Sequence, residues 1–153
     1  MGASGWLDET ERGEFEAWWN GHAGMKHMGA RVDLSAPGEV RCVVDPIEPH
    51  HRGGLGTEAV NGAVIAGLFD LAIGMSAYVH TRGRRAGVAQ LSIQFLRPVL
   101  GARFETVSRV TRVGTNIVFA AAELLDDRGV VCARGDGIVA VAGTDRGKAR
   151  TGR

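Results

Sequence analysis

A chain of 153 residues that is 44% hydrophobic and 23% charged has the size and composition of one globular domain. Its net charge of +1 excludes a strong electrostatic attraction to nucleic acid or to an anionic membrane. Cys42 and Cys132 are too few for a disulfide framework and do not have metal-ligand spacing. We therefore expect a single domain over residues 1–153, soluble and cytoplasmic, without a nucleic-acid or membrane partner.

The first predicted element is a short amphipathic helix over residues 7–20. Among its acidic residues stand four bulky apolar ones, Leu7, Phe15, Trp18 and Trp19. Asp8 or Thr10 is a suitable N-cap, and acids in a first turn favour the helix dipole. We expect the helix to lay its aromatic face on the domain, and we expect residues 1–5 and the tail after residue 143 to be disordered.

Two strands are predicted next, over residues 25–32 and 38–44. A turn that contains Pro37 and Gly38 joins them. The segment 50–54, which contains two histidines and two glycines, is predicted to be a loop that leads into the longest apolar stretch of the chain.

That stretch, residues 55–80, predicts a long central helix. Many of its side chains are small, which lets other backbone approach closely, and this indicates a buried helix wrapped by a sheet. Thr57 is one possible N-cap, and Asn61 is the alternative start. Asp70 is the acid inside the most apolar part of the helix, where a carboxylate is costly to bury.

The rest of the chain predicts four strands, over residues 89–95, 104–113, 117–125 and 130–141. In the first strand, apolar and polar residues alternate with a period of two, as in a strand with one buried face. Short turns that contain Gly114 and Gly129 join the last three. We therefore expect an antiparallel sheet that curves around the central helix, which is an α+β fold with about five to six strands.

Asp70 is the first candidate for chemistry. As a functional group it would be a general base or nucleophile whose surroundings tune its pKa. The alternative is a carboxylate that neighbouring N–H or hydroxyl groups satisfy, or one at a subunit contact. Composition alone leaves both interpretations open.

The tripeptide Asn61-Gly62-Ala63 is the second candidate. If the helix begins here, its unpaired N–H groups point at whatever lies before them. Such groups stabilise a carbonyl oxygen that gains negative charge, as in an oxyanion hole, and Gly62 has no side chain to block the approach. The alternative is close helix packing.

Other polar residues are weaker candidates. His50 and His51 do not have metal-binding spacing, and loop histidines are more often structural or surface residues than catalytic ones. The arginines Arg82, Arg84, Arg85 and Arg97 are either solvated or a clamp for the phosphates of a nucleotide-bearing thioester. Ser76, Ser92 and Gln94 are further candidates for polar contacts.

Taken in order, these motifs resemble the hotdog-fold acyl-CoA thioesterases of the phenylacetic-acid-degradation type, within the 4-hydroxybenzoyl-CoA thioesterase superfamily. The similarity covers about residues 29–141. The segments that carry it are Leu55-Gly56, Asn61-Gly62-Ala63, Leu68-Phe69-Asp70 with Ala72 and Gly74, and the strand Leu91-Ser92-Ile93-Gln94-Phe95-Leu96-Arg97-Pro98 followed by Gly101. The resemblance implies a hotdog fold, in which a sheet wraps a long central helix.

The resemblance also implies roles. Asp70 would be the general base for water or the nucleophile, and the Gly62 N–H would polarise the thioester carbonyl. The site would be shared between two protomers of a dimer or a dimer of dimers. Coenzyme A would be part of the substrate, and no cofactor or metal is expected.

Two residues depart from the pattern of this family. Asn61 stands where the family usually has His, and Ala63 replaces a second Gly. An Asn amide can hydrogen-bond in the site but cannot exchange a proton near neutral pH. Glu58 lies in an apparent two-residue insertion, as an extra acid at the mouth of the site or as a helix-start acid.

We therefore predict a thioester hydrolase that acts on a small or medium acyl- or aryl-CoA, or on an acyl-carrier protein. Its catalytic residues are predicted to be Asp70, Gly62 and Asn61. Substrate-binding residues are predicted to be His51, Glu58, Ala63, Arg82, Arg84, Arg85 and Arg97. The alternatives are a non-catalytic acyl-CoA-binding hotdog domain and a hydratase or dehydratase, although the acid–His pair of hydratases is not seen in the sequence.

Overall fold

The computed structural model describes residues 5–54, 56 and 58–143. The predicted disorder of the first four residues and of the tail after residue 143, and the possible N-cap Thr57, lie outside the described residues. Gly5 is described, and its carbonyl accepts a hydrogen bond of 2.9 Å from Arg82.

The first helix, α1, spans Glu9–Asn20, close to the predicted bounds. It begins at Asp8, whose carboxylate accepts the Glu11 N–H at 2.9 Å, while the Asp8 N–H donates to the Glu11 carboxylate at 3.0 Å. This reciprocal pair is a capping box, and it satisfies two N–H groups at the start of the helix. Of the two predicted N-caps, Asp8 and Thr10, the structure has Asp8.

The strand predicted over residues 25–32 is partly wrong. A short helix, α2, covers Ala23–His27, and strand β1 covers only Ala30–Asp33. Met25 of α2 is buried in the core. A helix can bury this apolar side chain as well as a strand can, so its burial does not distinguish the two. Gly29, at φ +61°, makes the turn between the two elements, a conformation that glycine adopts without strain.

Strand β2 spans Val40–Val44. The predicted loop after it contains a 3₁₀ turn, Pro49–His51, followed by β3, Arg52–Gly54. β3 pairs with the short β4, Ala59–Val60, in a separate two-stranded sheet. This small sheet occupies the region where the longer version of the central helix would begin.

The central helix, α3, therefore spans Gly62–His80 with Asn61 as its N-cap, which is the shorter of the two predicted starts. Its buried residues pack against β2 and the four long strands of the chain. By length and apolar composition α3 could also cross a membrane, but about half of it is enclosed by this chain's own sheet.

Four long strands complete the domain: β5, Ala86–Phe95, β6, Phe104–Val113, β7, Ile117–Asp126, and β8, Val131–Val141. The main sheet has six antiparallel strands in the order β1-β2-β6-β7-β8-β5. The predicted α+β architecture, with a sheet around a long central helix, is confirmed. β5 is an edge strand, so one of its sides has no strand partner within the described chain.

Close contact between α3 and the sheet depends on two glycines of β8. A Cβ at Gly135 would lie 3.1 Å from the Phe69 ring and 2.5 Å from the Ser92 carbonyl oxygen. A Cβ at Gly137 would lie 3.0 Å from the Ile73 side chain. The space for large side chains of α3 thus comes from missing side chains on the sheet, in addition to the small residues of the helix itself.

Candidate active site

The start of α3 presents an unpaired backbone donor. Asn61 is extended, at φ −63° and ψ 137°, and its side-chain oxygen accepts the Ala63 N–H at 2.8 Å. Its own N–H donates to the His51 carbonyl at 2.8 Å. Among the described residues the Gly62 N–H has no hydrogen-bond partner, so it points out of the helix start as a donor for a ligand.

A cavity of about 350 Å³ lies beside this donor. The end of β5 and the segment after it form one wall, where the Phe95 ring would lie 3.7 Å from a Cβ placed at Gly62. Arg97, one of the four arginines predicted to bind phosphate, also lines this cavity. The cavity therefore combines an apolar wall with a helix N-terminus and a cation, which suits a carbonyl compound that carries negative charge elsewhere.

Asp70 lies eight residues farther along α3. In the isolated protomer it is exposed, at the rim of a smaller cavity of about 150 Å³. The expectation that the carboxylate is enclosed in a buried helix is therefore wrong for a single copy of the chain. The helix is wrapped on one side only, and Asp70 lies on the open side.

Burial of part of the Asp70 carboxyl nevertheless raises its pKa above the ordinary value of 3.8. Within the described residues the carboxylate has no hydrogen bond or ion pair that would lower the pKa again. The carboxylate therefore has no partner among the described residues of this protomer, and it is open to water, to a ligand or to a second copy of the chain.

One protomer does not bring Asp70 and Gly62 together. They are eight residues apart on one helix, and at 1.5 Å per residue this is a separation of about 12 Å along the axis. Both lie near β5, because Gly62 neighbours Phe95 and Asp70 lines a cavity together with Val88. The two predicted groups therefore border the same edge strand but not the same reacting atom.

The imidazole ring of His51 is buried and hydrogen-bonded to backbone groups on both of its nitrogens. It is 1% exposed, its Nδ1 lies 2.8 Å from the Glu48 N–H and its Nε2 lies 2.7 Å from the Met28 carbonyl. Nδ1 must accept and Nε2 must donate, so the imidazole is neutral with its proton on Nε2. Gly29 makes room for the ring, since a Cβ there would lie 2.9 Å from it. These contacts favour a structural role for His51.

Two predicted arginines of the loop after α3 also bind backbone. Arg82 donates to the carbonyls of Val79 at 3.1 Å and Gly5 at 2.9 Å and pairs with Glu11 at 3.2 Å. Arg84 donates to the Ala142 carbonyl and, at 3.2 Å, to that of Thr115. Both side chains hold distant parts of the chain together.

The remaining predicted binding residues are exposed. Arg85 lies just before β5, and Ala63 lies in the first turn of α3. Glu58 lies just before β4 instead of in a helix start, and its carbonyl accepts a 2.6 Å hydrogen bond from Arg52. Glu58 therefore does not lie in the first turn of α3, and the prediction that it is a helix-start acid is wrong.

The suggested polar contacts on β5 lie on the other face of the sheet. Ser92 and Gln94 line a cavity of about 410 Å³ together with Arg134 and Asp136. Because Gly135 and Gly137 face α3, the alternation of side chains turns Asp136 and its partner Ser92 away from it. Ser76 is buried, and its Oγ lies 2.8 Å from that of Ser108. Ser92, Gln94 and Ser76 therefore do not line the cavity beside Asp70.

The neighbours of Asp70 in the cavity were not predicted from the sequence. Trp19 of α1, Tyr78 of α3 and Val88 of β5 line its cavity. The spacing of Asp70, Gly74 and Tyr78 along the helix could have indicated Tyr78, because residues four apart share a face. The position of Trp19 depends on how α1 packs, and no local pattern indicates it.

No group of His, Cys, Asp and Glu side chains suited to a metal ion occurs in the part of the chain that the structure describes. The expectation that coenzyme A enters only as part of the substrate, with no separate cofactor, stays a prediction.

Comparison with known proteins places this geometry in a family. The model of the thioesterase superfamily matches residues 58–133, which contain α3, β5, β6, β7 and the start of β8. No curated protein sequence matches the chain significantly.

Solved structures share the fold at low sequence identity. The PaaI protein of the E. coli phenylacetic acid degradation operon is similar with a TM-score of 0.76 at 17% identity, over 88% of this chain and 95% of that one. A thioesterase of Haemophilus influenzae gives a TM-score of 0.78 at 13% identity, over 91% and 95%. Zebrafish thioesterase superfamily member 2 gives 0.70 at 22% identity, over 88% and 96%.

The hotdog fold predicted from the sequence is thereby confirmed. The predicted enzyme class, a thioester hydrolase, is confirmed at the level of the family. Within the matched segment, which contains the central helix and three of the four long strands whole, this chain is similar to the thioesterase superfamily.

Proposed function

We propose that the protein is an acyl-CoA thioesterase whose active site forms between two protomers, with Asp70 from one and the start of α3 from the other. The observation that carries this proposal is the state of Asp70. Its carboxylate lines a cavity of about 150 Å³ beside β5 and has no partner in the described chain, and partial burial raises its pKa. A raised pKa makes the carboxylate a stronger base, as hydrolysis requires.

The proposed reaction has two parts. Asp70 removes a proton from water while the oxygen of that water attacks the carbonyl carbon of the thioester, or Asp70 itself attacks the carbonyl carbon. The carbonyl oxygen gains negative charge, and the Gly62 N–H at the helix start stabilises it. The C–S bond then breaks, and the sulfur leaves as a thiolate that takes up a proton, from Asp70 in the first route and from water in the second. In the second route the acyl group remains on Asp70 as an anhydride, which water hydrolyses to release the acid and restore the carboxylate.

A second copy of the chain is needed because about 12 Å of helix separates Asp70 from Gly62. The edge strand β5 offers a place for it, because Phe95 is 56% and Leu96 45% exposed there. Two copies related by a two-fold axis beside β5 and perpendicular to α3 would run their central helices in opposite directions. Asp70 of one copy would then face the helix start of its partner, and each dimer would have two sites.

Coenzyme A is the proposed carrier of the acyl group. Arg97 borders the cavity beside Gly62, where a guanidinium binds phosphate well. Arg85 is a second exposed cation, at the opposite end of β5. A small or medium acyl group suits the 150 Å³ cavity beside Asp70 better than a long one.

The direct test is the hydrolysis of a panel of CoA esters by Asp70→Asn. We expect kcat to fall about 10²–10⁴-fold, since a general base contributes this much, with the fold intact. Asp136→Asn is the matched control, because Asp136 is exposed on the opposite face of the sheet, and it should retain wild-type turnover. Full activity of Asp70→Asn would contradict the assignment.

Two changes at Gly62 test the oxyanion donor. Proline suits the first position of a helix, and Asn61 already has the extended conformation that precedes proline, so Gly62→Pro removes the N–H without breaking the helix. We expect kcat to fall about 10²–10³-fold. Gly62→Ala keeps the N–H, and its Cβ meets only the Phe95 ring at 3.7 Å.

We therefore expect Gly62→Ala to be folded and more active than Gly62→Pro. Thermal melts of both variants establish that the fold is intact. Wild-type kcat in Gly62→Pro would exclude the donor role.

One observation favours a second function, a domain that binds acyl-CoA without hydrolysing it. The Asn61 side chain caps α3 through the Ala63 N–H, so it replaces the usual His of the family with a group that cannot exchange a proton. Calorimetric titration of the wild-type protein with CoA esters, together with assays of thiol release, separates the two functions. Tight binding without thiol release would favour the binding domain.

A further inference from the structure

We propose that Trp19 sets the length of acyl chain that the site accepts, by closing the far end of the cavity beside Asp70. This inference rests on the proposed thioesterase activity and adds a specificity-determining residue from α1. The cavity has a volume of about 150 Å³, against about 350 Å³ for the one beside Gly62. It is the smaller of the two spaces at which the reaction is proposed to occur.

The walls of this cavity are apolar apart from Asp70. α3 contributes Leu71, Gly74, Met75 and Tyr78, and β5 contributes Ala86, Gly87 and Val88. Trp19 closes the cavity from α1, with its ring 5.5 Å from that of Tyr78 at an interplanar angle of 79°. An acyl chain that extends past the carboxylate into this cavity therefore meets an indole and a phenol ring.

The neighbouring tryptophan provides a matched control. Trp18 also packs on Tyr78, stacked at 5.3 Å, but it is 47% exposed and lines a separate surface cavity with Glu14, Phe15 and Tyr78. Trp18 and Trp19 are the same residue type, belong to the same helix and contact the same aromatic ring, that of Tyr78. They differ in whether they border the space beside Asp70.

Removal of the Trp19 indole should open the cavity toward α1. Each methylene of a longer chain that gains a buried place contributes about 0.8 kcal/mol, or about fourfold in kcat/KM. Acyl chains too long for the wild-type cavity should therefore be hydrolysed better by a smaller residue at position 19. Short chains should gain nothing and lose some positioning.

The experiment measures kcat/KM for a series of straight-chain acyl-CoA esters of increasing length, with wild type, Trp19→Ala, Trp19→Leu and Trp18→Ala. Trp19→Leu keeps apolar packing and serves in case Trp19→Ala does not fold. We expect both Trp19 variants to prefer a longer acyl chain than wild type does. Beyond the chain length that wild type prefers, their kcat/KM should rise by about fourfold for each added methylene. Trp18→Ala should keep the wild-type length profile.

Two results separate the inference from the activity on which it rests. Hydrolysis by folded Trp19→Leu with an unchanged length profile would overturn the role of Trp19 and leave the thioesterase activity standing. The same holds if Trp18→Ala changes the profile as much as the Trp19 variants. Failure of the wild-type protein to hydrolyse any ester of the series would overturn both proposals.

Discussion

Asp70 is a residue whose surroundings do not stabilise its charge. Burial raises its pKa, and in the described chain no cation or N–H group compensates. Between the ordinary pKa of 3.8 and the raised value, the folded protein binds more protons at this site than the unfolded protein does. The contribution of Asp70 to stability therefore falls as the pH rises through that window, and at neutral pH the ionised group is destabilising.

This sign leads to a prediction for Asp70→Asn. The amide does not ionise, so the variant should melt at the wild-type temperature or above it at neutral pH. The advantage should disappear as the pH is lowered below 3.8, because Asp70 is then protonated in both states. Thermal melts over this pH range measure the difference, and a variant clearly less stable than wild type at neutral pH would indicate a structural role for the carboxylate.

At the scale of elements, the packing of α3 on β8 depends on Gly135. A Cβ there would lie 2.5 Å from the Ser92 carbonyl oxygen and 3.1 Å from the Phe69 ring, so strand and helix would have to separate. Gly135→Ala should therefore destabilise the domain by about 1–3 kcal/mol. Gly13→Ala, in α1 with no atom within 4 Å of the new Cβ, should be neutral or stabilising.

Urea unfolding of the two glycine variants tests this prediction. Equal stability of Gly135→Ala and wild type would show that α3 does not rest on β8 as closely as described.

The long elements were predictable from local signals, and the short ones were not. Apolar periodicity and hairpin turns indicate α3 and the strands β5–β8, since their length outweighs local exceptions. α2 and the β3–β4 pair contain too few residues for a period to be visible. Their conformations depend on contacts such as the burial of Met25 and the hydrogen bonds of His51.

The side-chain alternation of β5 shows a more specific limit of prediction from the sequence. Alternation predicts that Ala89 points inward together with Leu91 and Ile93, but the register shifts between Val88 and Gln90. Val88 consequently faces Gly74 of α3, and Ala89 is exposed. One extra residue in a strand reverses the side-chain pattern that precedes it, and the sequence does not contain a proline or glycine at that position to indicate it.

For the whole molecule, the central question is how many copies of the chain make one active site. Local sequence predicted both Asp70 and Gly62, since an acid in an apolar helix and a glycine at a helix start are local features. Their separation of about 12 Å follows only from the helix start at Gly62 and from the rise per residue. The role proposed for Trp19 likewise depends on tertiary packing.

Complementation between two inactive variants tests the shared site most directly. Asp70→Asn and Gly62→Pro are each expected to be inactive, but a heterodimer of the two contains one site with both an intact Asp70 and an intact helix start. The variants are unfolded, mixed in equal amounts and refolded together, with each variant refolded alone as the control. The measured quantity is the hydrolysis of a CoA ester.

Random pairing makes about half of the dimers mixed, each with one intact site of two, so the mixture should recover about a quarter of the wild-type activity. A mixture that forms heterodimers but remains as inactive as the separate variants would show that Asp70 and Gly62 act within one protomer, and would contradict the account.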